Sequence, residues 1–96
     1  MVTGADQYVI REGAELMYGA LTVEVGKIEE GTYVDESGVE KTGLTTEIRL
    51  MFQNDPTLDQ TLRAHPGQEL SAGDFYVRVI EIAEDDQGMY VLVEIK

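Results

Sequence analysis

Residues 12–28, with the sequence EGAELMYGALTVEVGKI, decide the fold because their pattern returns in residues 66–82, PGQELSAGDFYVRVIEI, at a constant offset of 54 positions. Seven positions match without a gap: Gly13 with Gly67, Glu15 with Glu69, Leu16 with Leu70, Gly19 with Gly73, Val23 with Val77, Val25 with Val79, and Ile28 with Ile82. Two glycines and a Glu-Leu pair make this more than chance apolar alternation. We therefore predict two pseudo-repeats, residues 7–52 and 58–96. Convergence of two unrelated β units on one spacing is the alternative, and it predicts the same fold.

Apolar and polar residues alternate with period two in four stretches: residues 21–25, 44–52, 75–79 and 89–95. Such alternation, rich in β-branched residues, is typical of half-buried β-strands. No stretch shows a comparable period of 3.6 residues. We predict a single all-β domain over residues 1–96, folded as an antiparallel sandwich or small barrel of six to seven strands.

Both halves interrupt the alternation at the same place. One extra residue lies between Val25 and Ile28, and another lies between Val79 and Ile82, which predicts a β-bulge in each half. The glycines that the two halves share predict turns in which the backbone needs a positive φ or a close approach.

Residues 56–64 admit two interpretations. Asp55 as an N-cap followed by Pro56 at the first helical position fits a short helix. The apolar residues of the segment also alternate as they would in a strand. We favour the strand because Leu62 aligns with Tyr8, which belongs to an expected strand in the first half.

The composition excludes several kinds of site. The 96 residues include 19 acidic and 7 basic side chains, for a formal net charge of −12 at pH 7. Without cysteine the chain has no disulfide framework, no cysteine-based zinc site and no cysteine nucleophile. The lone histidine, His65, cannot build a site of two or three histidines, so we expect it to be structural or exposed. We predict no catalytic residues, no metal and no cofactor, and hence no enzyme.

The charge and the apolar runs also bear on partners and compartment. Nucleic acids and anionic membranes are polyanions that repel a strongly acidic chain, so we predict neither as a partner. Residues 1–7 show no basic and apolar leader, and no apolar run approaches the roughly 18 residues of a membrane-spanning helix. With cysteine absent as well, we predict a cytoplasmic location.

Acidic residues cluster in corresponding loops of the two halves, as Glu29-Glu30 with Asp35-Glu36, and as Glu84-Asp85-Asp86. Oxygen-rich turns can hold Ca²⁺, which takes about six to eight oxygen ligands. Neither cluster has the D-x-[DN]-x-[DN]-G spacing, and hairpin turns favour Asp, Asn and Gly for backbone reasons alone. We expect solvated turns, and keep a small-ligand or calcium-binding β domain as an alternative function.

Apolar and aromatic residues in the second half occupy strand positions that should point away from the core. Tyr, Met and Arg are enriched where proteins bind one another, so we predict a partner-binding surface. Its predicted residues are Tyr76, Arg78, Ile80, Tyr90 and Leu92 of the second half, together with Met51, which has the same character at the end of the first half. Coverage of these residues by a loop, the N-terminal segment or the other sheet is the alternative.

The leading hypothesis is a non-enzymatic, acidic protein-binding module, such as an inhibitor or immunity-type protein for a basic partner. Its negative charge would steer it towards that partner. A structural subunit that self-associates into a homodimer is a further alternative. Broad acidity is also typical of proteins from salt-adapted cells, which would explain the charge without any partner.

Overall fold

The computed structural model describes residues 6–96, which form an all-β sandwich of two antiparallel four-stranded sheets. The strands are β1 (Gln7–Arg11), β2 (Glu15–Tyr18), β3 (Leu21–Val34), β4 (Glu40–Phe52), β5 (Gln60–Ala64), β6 (Glu69–Ala72), β7 (Phe75–Asp85) and β8 (Gly88–Ile95). The predicted fold class is confirmed. The described residues contain eight strands where six to seven were expected, because β2 and β6 are short strands in segments interpreted as turns.

The two sheets exchange one strand between the halves of the chain. Sheet 1 has the order β2-β3-β4-β5, and sheet 2 has the order β6-β7-β8-β1. Thus β5, from the second half, pairs with β4, while β1, from the first half, pairs with β8. Neither half completes a sheet alone. Descent of the two halves from one duplicated unit stays a prediction.

The predicted bulges occur in both long inner strands. The register of β3 against β4 shifts between Val25 and Ile28, and that of β7 against β8 shifts between Val79 and Glu81. An extra residue bends a strand and increases its twist. The two sheets therefore bend at corresponding points.

A positive φ recurs at the shared glycines. Gly13 and Gly67 have φ values of 79° and 87°, and Gly19 and Gly73 both have 60°. The N–H of Gly13 and that of Gly67 each donate to the carbonyl of the last residue before the bulge, at 2.9 and 2.7 Å. A side chain with a Cβ rarely adopts this backbone conformation, so glycine suits each turn.

The core lies between the sheets and is built from the inward residues of the long strands. Its largest fully buried apolar side chains are Leu21, Val23, Val25, Ile48, Leu50, Val77, Val79, Val91, Val93 and Ile95. Burying each such side chain contributes about 1.5–3 kcal/mol relative to leaving it exposed. Over residues 6–96, the structure has no helix with the length and apolarity to cross a membrane.

Both interpretations of residues 56–64 are partly right. Pro56–Leu58 is a 3₁₀ helix, capped by the Asp55 side chain, which accepts a hydrogen bond from the N–H of Thr57 at 3.1 Å. The following residues form β5, as favoured, and pair with β4.

The hairpins of the two sheets differ in length. β3 and β4 stay paired out to Val34 and Glu40, whereas β7 and β8 turn back at Asp85 and Gly88. Counted from the bulges, the β3–β4 hairpin is nine residues longer. We call the end of this hairpin, residues 31–43, the long arm.

The two ends of the described chain lie side by side. Gln7 at the start of β1 pairs with Glu94 near the end of β8. The N–H of Ile95 donates to the carbonyl of Asp6 at 2.9 Å.

Candidate protein-binding surface

The outer side of sheet 2 brings together most of the predicted partner-binding residues. Residues on β7 and β8 alternate between buried core positions and half-buried positions on this side. β1 and β6 flank them. We call this region the second-sheet surface, and define it by Val9, Arg11, Tyr76, Arg78, Ile80, Glu81, Tyr90 and Leu92.

Five of the six predicted residues lie in β7 or β8, but Met51 does not. Met51 is in β4 of sheet 1, between the buried Leu50 and Phe52, and pairs with Thr22 of β3. Its side chain therefore belongs to the outer side of the opposite sheet. Grouping Met51 with Leu92 was wrong about position, because alternation tells inward from outward and does not tell one sheet from the other.

Sequence reasoning missed Val9 and Arg11. They reach the second-sheet surface because β1 pairs with β8, where Val9 lies opposite Leu92 and Arg11 lies opposite Tyr90. Val9 is 42% exposed. The alternation of β1 shows that Val9 points outward, but no local signal shows which strand lies beside it.

A shallow depression of about 460 Å³ opens on this surface. Its lining residues are Val9, Arg11, Glu81, Asp85, Asp86, Gln87, Tyr90 and Leu92. Aliphatic and aromatic groups from β1 and β8 are thus placed beside three carboxylates from β7 and its turn. This combination suits a ligand group that is both apolar and cationic.

Arg11 fixes one side of the depression. Its Nη1 and Nη2 donate to Oδ1 and Oδ2 of Asp85 at 2.7 and 2.8 Å, a bidentate pair. The guanidinium carbon also lies 5.3 Å from the centroid of the Tyr90 ring, within the range of a cation–π contact. The hydrogen bond from Arg11 lowers the pKa of Asp85 to about 2, helped by the backbone N–H of Gln87, and the same bond raises the pKa of Arg11.

The two tyrosines of the surface each donate to a carboxylate. The hydroxyl of Tyr90 donates to Oε1 of Glu81 at 2.8 Å, and that of Tyr76 donates to Oε1 of Glu69 at 2.5 Å. These bonds raise the pKa of both tyrosines above the usual value, since the carboxylate holds the phenol proton. Each ring is thereby oriented next to a negative charge.

Arg78 pairs across the strands with Glu94, as its outward position implied. Its Nε lies 3.4 Å from Oε1 of Glu94, an ion pair without the geometry of a hydrogen bond. The side chain is still 42% exposed, so its outer nitrogens face solvent at the centre of the sheet. Ile80 is the extra residue of the β7 bulge and is half-buried.

Aspartate side chains in the two hairpin turns accept hydrogen bonds from the turn backbone. Oδ1 of Asp35 accepts from the N–H groups of Ser37 and Val39, and Oδ1 of Asp85 accepts from the N–H of Gln87. Among residues 6–96, no three His, Asp or Glu side chains converge as they would around a metal ion. Asp35 and Asp85 thus stabilise turns as expected, whereas Glu29 and Glu30 lie in β3 and Glu84 lies in β7, in strands rather than in the expected loops.

His65 lies in the turn after β5. Its ring stacks on Tyr33 of the long arm, with centroids 4.5 Å apart and planes 8° from parallel. Its Nδ1 lies 2.9 Å from the carbonyl oxygen of Pro66. This is a structural contact between a turn and a hairpin, of the kind expected for a lone histidine.

No protein-family model, curated protein or solved structure matches this chain. We therefore infer the function from the geometry and charge of the protein's own surfaces.

Proposed function

We propose that the protein is a non-enzymatic binding module that recognises a basic protein partner through the second-sheet surface, as an inhibitor or immunity-type protein does. One observation carries this proposal. The depression on that surface sets Val9, Tyr90 and Leu92 beside the carboxylates of Glu81 and Asp86.

The carboxylates of the depression are not equivalent. Asp85 is neutralised by Arg11, whereas Glu81 and Asp86 form no ion pair within residues 6–96. A Lys or Arg of a partner would gain charge-assisted hydrogen bonds from these two groups. An aliphatic side chain next to that cation would pack against the adjacent Val9 and Leu92.

Preorganisation supports the same function. Arg11 holds the Tyr90 ring at its face by the cation–π contact, and Glu81 holds it at its hydroxyl by a hydrogen bond. An aromatic side chain already fixed loses little conformational entropy on binding, which favours it as an anchor. The net charge of −12 adds long-range attraction to a basic partner and speeds encounter. The cytoplasm is the proposed compartment, on the cysteine-free composition.

The test compares two lysine substitutions on opposite sides of the sandwich. Leu92→Lys places a cation in the depression, and Thr22→Lys makes the same change in charge on the outer side of sheet 1. Partners captured from the native host are identified, purified and titrated by calorimetry against each variant. We expect Leu92→Lys to weaken binding at least about tenfold and Thr22→Lys to change it less than about twofold.

Thermal melts of both variants establish that they are folded. A partner with an acidic surface, or one that binds the two variants equally, would refute the proposal. If a second copy of this chain binds the surface, homodimerisation replaces the proposed function. Sedimentation velocity would detect that dimer. In a homodimer built on this surface, Tyr90→Glu should yield monomers.

A further inference from the structure

The long arm is not needed to close the fold. At the position where Asp85 pairs with Gly88 and the β7–β8 hairpin turns, the β3–β4 hairpin has the pair Gly31 and Gly43 and continues. None of residues 31–43 is buried. The corresponding hairpin of the other sheet forms without such an extension, so the arm adds length that the core does not use.

The turn of the arm is nevertheless held in one conformation. Oδ1 of Asp35 accepts from the N–H of Ser37 at 2.9 Å and from that of Val39 at 3.0 Å. Its Oδ2 lies 3.0 Å from Nζ of Lys41. The hydrogen bond from Val39, followed by that from Lys41, lowers the pKa of Asp35. Gly38 supplies the positive φ of 82° that the turn requires.

The base of the arm is attached to the body of the sandwich. Tyr33 stacks on His65, and its ring passes within 3.9 Å of where a side chain at Gly43 would begin. The ring thus packs over the backbone of the opposite strand as well as on the turn. Below it, Nη2 of Arg63 donates to Oε1 of Glu29 at 2.8 Å. The arm is positioned as a whole, rather than only at its turn.

The tip of the arm is apolar and surrounded by acid. Val34 and Val39, on either side of the turn, are 58% and 52% exposed. Lys41 compensates Asp35, which leaves Glu36 and Glu40 as excess negative charge at the tip. Two aliphatic side chains are thus presented to solvent on a rigid support with an acidic border.

We propose that the long arm is a second binding element, which inserts Val34 and Val39 into an apolar cleft of a protein whose rim carries Lys or Arg side chains. A preorganised hairpin loses little conformational entropy when it enters such a cleft. The acidic border matches a basic rim and opposes binding to polyanions. This element shares no residue with the second-sheet surface. An experiment can therefore refute either proposal without refuting the other.

The experiment places a photo-crosslinking p-benzoylphenylalanine at Val39 of the full chain in the native host. The matched control places it at Met17, an apolar residue that is 70% exposed on sheet 1. We expect a protein adduct from position 39 and not from position 17. The structure of the crosslinked protein should show an apolar cleft that is bordered by Lys or Arg side chains. No adduct, equal adducts from both positions, a second copy of this chain or an acidic partner would each overturn the proposal.

Affinity for the purified partner then gives a second readout. The double substitution Val34→Ser with Val39→Ser should weaken binding at least about tenfold, and Met17→Ser should leave it unchanged. Both variants alter only exposed side chains, so they should melt close to the parent protein. If the double variant binds as tightly as the parent, the arm is not the binding element. Leu92→Lys in the same titration separates a failure of the arm from a failure of the second-sheet surface.

Discussion

The two hairpins of the sandwich are attached to their sheets by different chemistry at matching positions. Arg11, at the end of β1, holds the β7–β8 hairpin through Asp85 and the ring of Tyr90. His65, just after β5 and 54 positions later in the chain, holds the β3–β4 hairpin by stacking on Tyr33. In each sheet, a residue at the end of an edge strand thus restrains the neighbouring hairpin. The contact is a bidentate ion pair in sheet 2 and an aromatic stack in sheet 1. The short hairpin forms part of a surface depression, whereas the long hairpin projects from the body.

The largest effect is expected at the bulges from which the two hairpins extend. Gly26 occupies in β3 the position that Ile80 occupies in β7, and a Cβ at Gly26 would lie 3.3 Å from the carbonyl oxygen of Glu47. Gly26→Ile should therefore lower the free energy of unfolding by about 1–3 kcal/mol, the usual cost of overpacking. Urea denaturation measures it. The reverse change, Ile80→Gly, should cost at least about 0.5–1 kcal/mol in chain entropy, to which the lost burial of a half-buried side chain adds. Equal tolerance of isoleucine at both positions would contradict this distinction.

The next effect concerns the turn between β1 and β2 and the corresponding turn between β5 and β6. Gly13→Ala and Gly67→Ala each force alanine into a positive φ, which costs about 1–2 kcal/mol. A Cβ at Gly67 would also approach a carboxylate oxygen of Glu36 from the long arm to 3.1 Å, whereas nothing lies within 4 Å of one at Gly13. Denaturant titration should show the larger loss for Gly67→Ala. That excess should disappear in a Glu36→Ala background, and its persistence there would mean that the arm does not contact this turn.

Acidification should destabilise the β7–β8 hairpin by weakening the ion pair between Arg11 and Asp85. The pKa of Asp85 is about 2, below the ordinary value of about 3.9, so its ion pair with Arg11 stabilises the fold fully above about pH 4. This contribution declines as the pH falls from about 4 towards 2. Asp85→Asn should thus lower the melting temperature at pH 7 and have progressively less effect below pH 4. Asp86→Asn, at a neighbour without an ion pair in residues 6–96, serves as the control. If the loss of melting temperature in Asp85→Asn does not change with pH, then Asp85 stabilises the protein through the turn backbone rather than through Arg11.

The smallest effect is expected from shortening the long arm. Replacing residues 32–42 by Asp-Gln makes the β3–β4 hairpin as long as its β7–β8 counterpart and retains every buried residue. The stack of Tyr33 on His65, the approach of Glu36 to the Gly67 turn and the contacts within the arm are lost. Calorimetry should find a melting temperature within a few degrees of that of the parent. A chain that fails to fold after this change would show that the arm supports the core.

Local pattern predicted much of this fold because a strand between core and solvent must alternate. The stretches that alternate became β3, β4, β7 and β8, and the extra residue before Ile28 and Ile82 became a bulge in each. Short strands β2 and β6 were interpreted as turns because four residues between two glycine turns hardly express a period.

The candidate site was harder to predict because strand pairing is a long-range property. Tyr90 and Leu92 were identified from their outward position, yet Val9 and Arg11 beside them come from the other half of the chain. For the same reason, the sequence did not show that Met51 lies in sheet 1, away from the other five predicted residues. The long arm was visible only as a difference in loop length, which gives no indication of its paired strands or its attachment to His65.

The neighbouring ends of the described chain make the strand order cyclic. Seven residues, 53–59, connect β4 to β5, and Lys96 joined to residues 1–6 would connect β8 to β1 with the same number. A circular permutant that opens at Asn54 and links Lys96 to Met1 would keep each strand next to its present neighbours. Both sheets would therefore keep their strand pairing with the chain cut between β4 and β5 instead of between β8 and β1.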